Sequence, residues 1–205
     1  MKQMESLINF KRNAINSIII YTALVLLIVV SLSSCSGNPK TEDSKDMAEK
    51  NNDVKFENTD KEKDAQFLVD AAEINLEEIR FGKFAKENAM SVDTRELAKM
   101  MVEEHTKCLN DLRVLADKKS VTIPAVISTK GEEAYQQLID RAGADFDKKY
   151  CNMMVDWHKN AIAKFEKESK DGNDADIKAW ASETLPALHK HLDHAQNCQK
   201  SCNKM

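Results

Sequence analysis

The chain has 205 residues, is 42% hydrophobic and 31% charged, and carries a formal net charge of −4. Mild acidity and the lack of a basic, aromatic-rich stretch argue against DNA or RNA as a partner. The sequence also has no Gly-rich phosphate loop, no Gly-x-Ser-x-Gly elbow and no internal repeat, which excludes the motif-borne nucleotide and serine-hydrolase chemistries.

The first segment reads as a targeting signal. Lys2, Lys11 and Arg12 precede an almost wholly apolar run over 15–30, which ends in Leu32-Ser33-Ser34-Cys35. A basic start, an apolar core and small residues before a cut define a secretory signal over 1–34. The cysteine after those small residues resembles the lipobox of bacterial lipoproteins, which implies that Cys35 becomes the lipid-modified first residue. The alternative is an uncleaved membrane anchor, for which the run is somewhat short. Either way the chain is expected to be held at a membrane outside the cytoplasm. Residues 1–34 carry Lys2, Lys11 and Arg12 against Glu5, so the mature chain is near −6.

Residues 35–62 are expected to form a lipidated, disordered tether. Lys, Glu, Asp and Asn dominate it, and only Met47, Val54 and Phe56 are large and apolar. Such a segment buries too little surface to offset its chain entropy.

Residues 63–202 read as one all-α domain. The spacing predicts a helix over about 64–88, with Phe67, Ala71, Ile74, Glu78, Phe81 and Ala85 on one stripe. A second, over about 94–118, aligns Leu97, Met101, His105, Cys108, Leu112 and Leu115. Val121-Thr122-Ile123-Pro124 interrupts the pattern, and a short helix follows around 130–141. A third long helix, about 145–169, aligns Cys151, Val155, His158, Ile162 and Phe165. After the stop at Asp171-Gly172-Asn173-Asp174, a fourth over about 174–200 aligns Ile177, Ala181, Thr184, Leu188, His191, Ala195 and Cys198. Pro186 lies within it and is expected to bend it.

Each long helix thus carries one potential metal ligand on its apolar stripe: Glu78, His105, His158 and His191. With a rise of about 1.5 Å per residue, distance from a turn measures depth, and the four fall in roughly one layer of an antiparallel bundle. Ligands of bundle-core metal sites are arranged in this way. The set is therefore a candidate site for one ion, and imidazole ligands suit Zn, Fe or Cu. The plainer reading is a buried polar network, because a lone core histidine usually hydrogen-bonds to a carbonyl or carboxylate. His189 and His194 lie off the stripe and are expected to be solvated or flanking.

Cys108 follows His105 by one turn, Cys151 precedes His158 by two, and Cys198 follows His191 by two. If the second helix ends where the third begins and the fourth ends, all three point toward one pole, with Cys202 nearby. Buried thiols, a disulfide and a soft-metal thiolate site are the alternatives. The equal offsets favour a disulfide between Cys151 and Cys198, whereas a Cys198–Cys202 bond inside one helix conflicts with disulfide geometry.

Six stretches carry a resemblance. They are Phe67-Leu68-Val69-Asp70-Ala71-Ala72, Glu78-Ile79-Arg80-Phe81-Gly82-Lys83-Phe84-Ala85, Met100-Met101-Val102-Glu103-Glu104-His105-Thr106-Lys107, Asp145-Phe146-Asp147-Lys148-Lys149-Tyr150, Met154-Val155-Asp156-Trp157-His158 and Thr184-Leu185-Pro186-Ala187-Leu188-His189-Lys190-His191-Leu192. In this order and spacing the chain resembles the family named domain of unknown function 4142. The resemblance implies a ferritin-like antiparallel four-helix bundle, with a short extra helix in the connection between its second and third helices. It also implies an envelope location, the outer membrane in particular, and no settled activity. The chain departs from ferritin-like oxidases, whose di-iron sites use Glu-x-x-His pairs. The residues three before His105, His158 and His191 are Val102, Val155 and Leu188, so one ion fits better than two.

Three functions follow. The first is a membrane-tethered envelope protein with a single metal in its core. The second is a structural or interaction module with no metal and an unknown protein partner. The third, an enzyme with an open coordination position, is disfavoured: no nucleophile and no second carboxylate accompany the histidines, and no catalytic residue is assigned.

Overall fold

The computed structural model describes residues 43–204. The signal over 1–34 and the lipid-attachment residue Cys35 lie outside the described residues. Within them the apolar periodicity becomes six helices: α1 Ser44–Phe56, α2 Lys61–Asn88, α3 Val92–Lys119, α4 Thr129–Ile139, α5 Gly143–Asp171 and α6 Ala175–Cys202. None is long and apolar enough to cross a membrane. The apolar stripes face inward: Phe67, Ala71, Phe81 and Ala85 of α2 are buried, as are Leu97, Met101 and Leu112 of α3. Helix α6 continues through Pro186.

Two reciprocal carboxylate clamps set the helix directions. Asp64, in the first turn of α2, accepts the backbone N–H groups of Asn173 (3.0 Å) and Asp174 (2.6 Å) in the α5–α6 turn. Asp147, near the start of α5, accepts those of Met90 (3.0 Å) and Ser91 (2.6 Å) in the α2–α3 turn. The start of α2 therefore lies beside the end of α5, and the start of α5 beside the end of α2. Lys118 and Lys119 at the end of α3 pair with Asp174 and Asp176 at the start of α6. Helices α2 and α6 thus run one way, and α3 and α5 the other.

This corrects the expected placement of the cysteines. Helix α3 begins, and does not end, at the pole where α5 begins and α6 ends. The connection over 120–142 carries the chain back along the bundle, so α3 and α5 run the same way. Its helix α4 lies against α2, where Ser128 N–H donates to Glu73 at 2.8 Å and Glu132 meets Arg80. Cys108 consequently sits away from the other cysteines, beside Asn75.

The tether reading is corrected as well. Residues 44–56 form α1, which packs on α2 and on the crossover, with Ala48, Asn52 and Phe56 buried. Asp43 caps it by accepting the N–H of Lys45. The Asn52 amide exchanges two hydrogen bonds with the backbone of Thr122, at 2.7 and 2.8 Å. Its few apolar side chains are supplemented by specific polar contacts, a term that composition does not register.

The core has two apolar clusters. One, around Phe67, Leu112, Phe165 and Ile177, fills the pole where α2 starts. The other, around Phe81, Met101, Phe146, Tyr150 and Met154, fills the opposite pole. Gly82 brings α2 close to α3: a Cβ there would lie 2.8 Å from Val102 Cγ2 and 3.1 Å from the Ala98 carbonyl.

Candidate metal centre

A polar layer separates the two clusters. His105 lies between Met101 of one and Leu109 of the other, His158 between Val155 and Ile162, and His191 between Ala195 and Leu188. Glu78 occupies the matching turn of α2. All four are at most 2% exposed.

The structure brings the three histidines together. Their ring centroids are 5.1–5.5 Å apart, and one nitrogen of each lies within 4.8 Å of the other two. Glu78 is not part of that group. Its Oε1 lies 3.6 Å from His158 Nδ1, on the side of the ring facing away from His191.

Each imidazole is held by a different acceptor. The Asn75 amide donates to the Ala71 carbonyl at 2.7 Å, which turns its oxygen toward His105 Nδ1 at 3.0 Å. His158 Nδ1 donates to the Met154 carbonyl at 2.8 Å. His191 Nε2 donates to the Glu104 carboxylate at 2.8 Å, and Lys190 holds the same carboxylate at 2.8 Å. A neutral imidazole has one N–H, so each ring has spent its proton outward. The remaining nitrogens, His105 Nε2, His158 Nε2 and His191 Nδ1, carry lone pairs.

Those lone pairs lack donors. His105 Nε2 has no hydrogen-bond partner. His158 Nε2 and His191 Nδ1 lie 3.3 Å apart with no proton left for the space between them. Protonating a ring is disfavoured. Burial, then the neighbouring imidazoles, push His105 well below its ordinary range. Burial, then His191, push His158 down to about 4. Burial also lowers His191, although Glu104 partly offsets it. The three rings are therefore neutral, the form that binds a metal.

Glu78 completes the layer in a different way. Neither of its carboxylate oxygens has a hydrogen-bond partner, and burial, then the charge of Glu77, push its carboxyl well above the ordinary range. The Tyr150 hydroxyl has no partner either, and burial, then Glu78, push its pKa well above the ordinary range, so it stays protonated. Without a cation nearby, Glu78 is held as the neutral acid.

The sequence reading missed the residues that hold the rings. Asn75 lies one position from Ile74 of the apolar stripe, and its only sequence signal is an amide beside a core position. Glu104 adjoins His105 and reads as part of a solvated Glu-Glu pair. Burial alone would raise it, but hydrogen bonds from Lys190 and His191 hold it below its ordinary range. His189 and His194 are exposed.

A family model described as a domain of unknown function, DUF4142, matches residues 49–198. The chain belongs to this family. The DUF4142 region begins within α1 and extends to Cys198, so it takes in the whole histidine layer. No curated protein and no solved structure matches the chain.

At the pole where α5 begins, Cys151 and Cys198 are joined, with their Cα atoms 6.0 Å apart. Cys202 Sγ lies 3.7 Å from Cys151 Sγ. Cys108 stays a lone, half-buried thiol that burial pushes up to about 11.

Proposed function

We propose that this DUF4142 protein is a membrane-tethered bacterial envelope protein whose helical core holds one transition-metal ion through His105, His158 and His191. The observation that carries this reading is the outward anchoring of all three imidazoles. Metal-ligating histidines characteristically donate their second N–H to a carboxylate, a carbonyl or a similar acceptor, and here Glu104, Met154 and Asn75 fill that role. Three inward lone pairs without donors are what a Zn, Fe or Cu ion would satisfy. Glu78 is the buried carboxylate whose ionised form such a cation would stabilise. A bound ion with three imidazole ligands would supply an open, Lewis-acidic position. Storage, sensing and mild redox protection are the roles that fit.

The fold reading is a ferritin-like four-helix bundle, supported by one long crossover between two helical hairpins. The tether rests on the signal-like segment and on Cys35, and an outer-membrane location rests on the family resemblance.

The test is metal content of the full chain, exported and purified in detergent without chelator or affinity tag, beside His158→Ala and Glu78→Ala. A single ion per chain, lost from His158→Ala, is the expected result. No metal in the native chain after challenge with Zn, Cu and Fe overturns the reading. The layer would then be a buried polar network in an envelope interaction module.

A further inference from the structure

The cysteine pole has a composition that a simple disulfide does not need. Cys151, Cys198 and Cys202 are at most 4% exposed, and Thr94, from the first turn of α3, is fully buried against all three. The Thr94 hydroxyl lies 3.5 Å from Cys198 Sγ, 3.5 Å from Cys202 Sγ and 3.7 Å from Cys151 Sγ. Cys198 and Cys202, four residues apart, share one face of α6. Three helices therefore direct three sulfurs and one oxygen into one small volume, and the three sulfurs lie within 4.8 Å of one another.

These distances have a specific meaning. In a tetrahedral site with Zn–S near 2.3 Å and Zn–O near 2.1 Å, the S···S edges are about 3.8 Å and the O···S edges about 3.6 Å. The 3.7 Å between Cys151 and Cys202 and the 3.5–3.7 Å from Thr94 to the sulfurs are edges of that size. The bonded Cys151–Cys198 edge is too short, and the Cys198–Cys202 edge is no longer than 4.8 Å.

We propose that, once the Cys151–Cys198 bond is reduced, Cys151, Cys198 and Cys202 bind a thiophilic divalent ion of the Zn class, with the Thr94 hydroxyl on the fourth face. Charge selects the divalent class. Three thiolates around a monovalent ion would leave two negative charges in an apolar cluster of Phe146, Tyr150, Met101 and Met154, whereas a divalent ion leaves one. Lys148 supplies a counter-charge that favours the Cys202 thiolate, while Asp147 and Asp93 oppose further anionic charge.

The chemistry balances with a dithiol as reductant. The dithiol gives two electrons and two protons to the Cys151–Cys198 bond, which becomes two thiols, and is itself oxidised to its disulfide. The ion then displaces one proton from each of three thiols to solvent. Disulfide and metal compete for the same sulfurs, so an oxidising envelope closes the site and a reductant opens it. The histidine layer contributes no ligand here, and this inference stands without it.

The test uses the full chain in detergent, reduced with a dithiol that is then removed anaerobically, and titrated with Co²⁺. Thiolate ligation gives a near-ultraviolet charge-transfer band that imidazole ligation does not. The expected result is such a band, bleached by added Zn²⁺, absent from the oxidised chain, lost in Cys202→Ser, weakened or shifted in Thr94→Val and retained in Cys108→Ser. No thiolate band in the reduced native chain overturns the proposal, and this outcome does not depend on any variant folding. A band that survives in a helical, folded Cys202→Ser overturns it as well, because the ligands would then be other thiols.

Discussion

The described residues include two contrasting kinds of buried carboxylate. Asp64 and Asp147, at the helix junctions, are at most 2% exposed, and each accepts two backbone N–H groups from the turn of the opposite hairpin. Glu78, in the middle of the core, is just as buried and accepts none. A buried carboxylate with donors is a structural clamp, because it satisfies backbone groups that the helix starts leave unpaired. One without donors must stay protonated or find a cation. The first pair holds the hairpins in register, and the third lies in the layer proposed to hold a metal.

The largest effect should come from the clamps. Asp147→Ala strands the N–H groups of Met90 and Ser91 and should cost about 3 kcal/mol in urea unfolding. A loss below about 1 kcal/mol would erase the distinction from Glu78. Glu78→Met should do the opposite in the metal-free chain. It replaces an unsatisfied acid with an apolar side chain of similar size, so stability should hold or rise by about 1 kcal/mol while metal binding falls. Marked destabilisation of the metal-free protein by Glu78→Met would make Glu78 a structural residue.

Two pH dependences sharpen the contrast. The folded-state pKa of His158, about 4, lies below its ordinary 6.5. Its contribution is therefore fully present above about 6.5 and lost as pH falls toward about 4, because the unfolded chain takes up the proton first. The metal-free protein should weaken across that window, less so in His158→Gln. A smaller effect of opposite sign belongs to Glu168, which burial and then Asp64 raise to about 7 from 4.5. Its contribution is fully present below 4.5 and lost as pH rises through about 7. Glu168→Gln should flatten the alkaline side of the stability profile, and an unchanged slope would mean that burial does not hold Glu168 protonated in the folded chain.

Much of this architecture was legible because helices are local. Spacings of three and four put Leu97, Met101, His105 and Leu112 on one face, and the structure buries all of them. The coming together of His105, His158 and His191 was also legible, because each lies near the middle of a long helix. A mid-helix residue keeps its depth whichever way the helix runs, so the layer survived a wrong helix direction. Cys108 had no such protection. It was assigned to the cysteine pole through the direction of α3, and reversing α3 puts Thr94 there instead. Helix α1 was missed because its attachment rests on the Asn52 amide and the Thr122 backbone, which are 70 residues apart.

The sequence by itself determined the helices, their inward faces and the depth of the histidines, since a 3.6-residue period is written in neighbouring residues. The tertiary structure decided the direction of α3 relative to α5, the acceptors that fix His105 and His191, and the meeting of Thr94 with three sulfurs. Those depend on the route of the 120–142 crossover and on side chains that meet across 30 to 108 residues of chain. No local pattern encodes such contacts, because they exist only once both hairpins have packed.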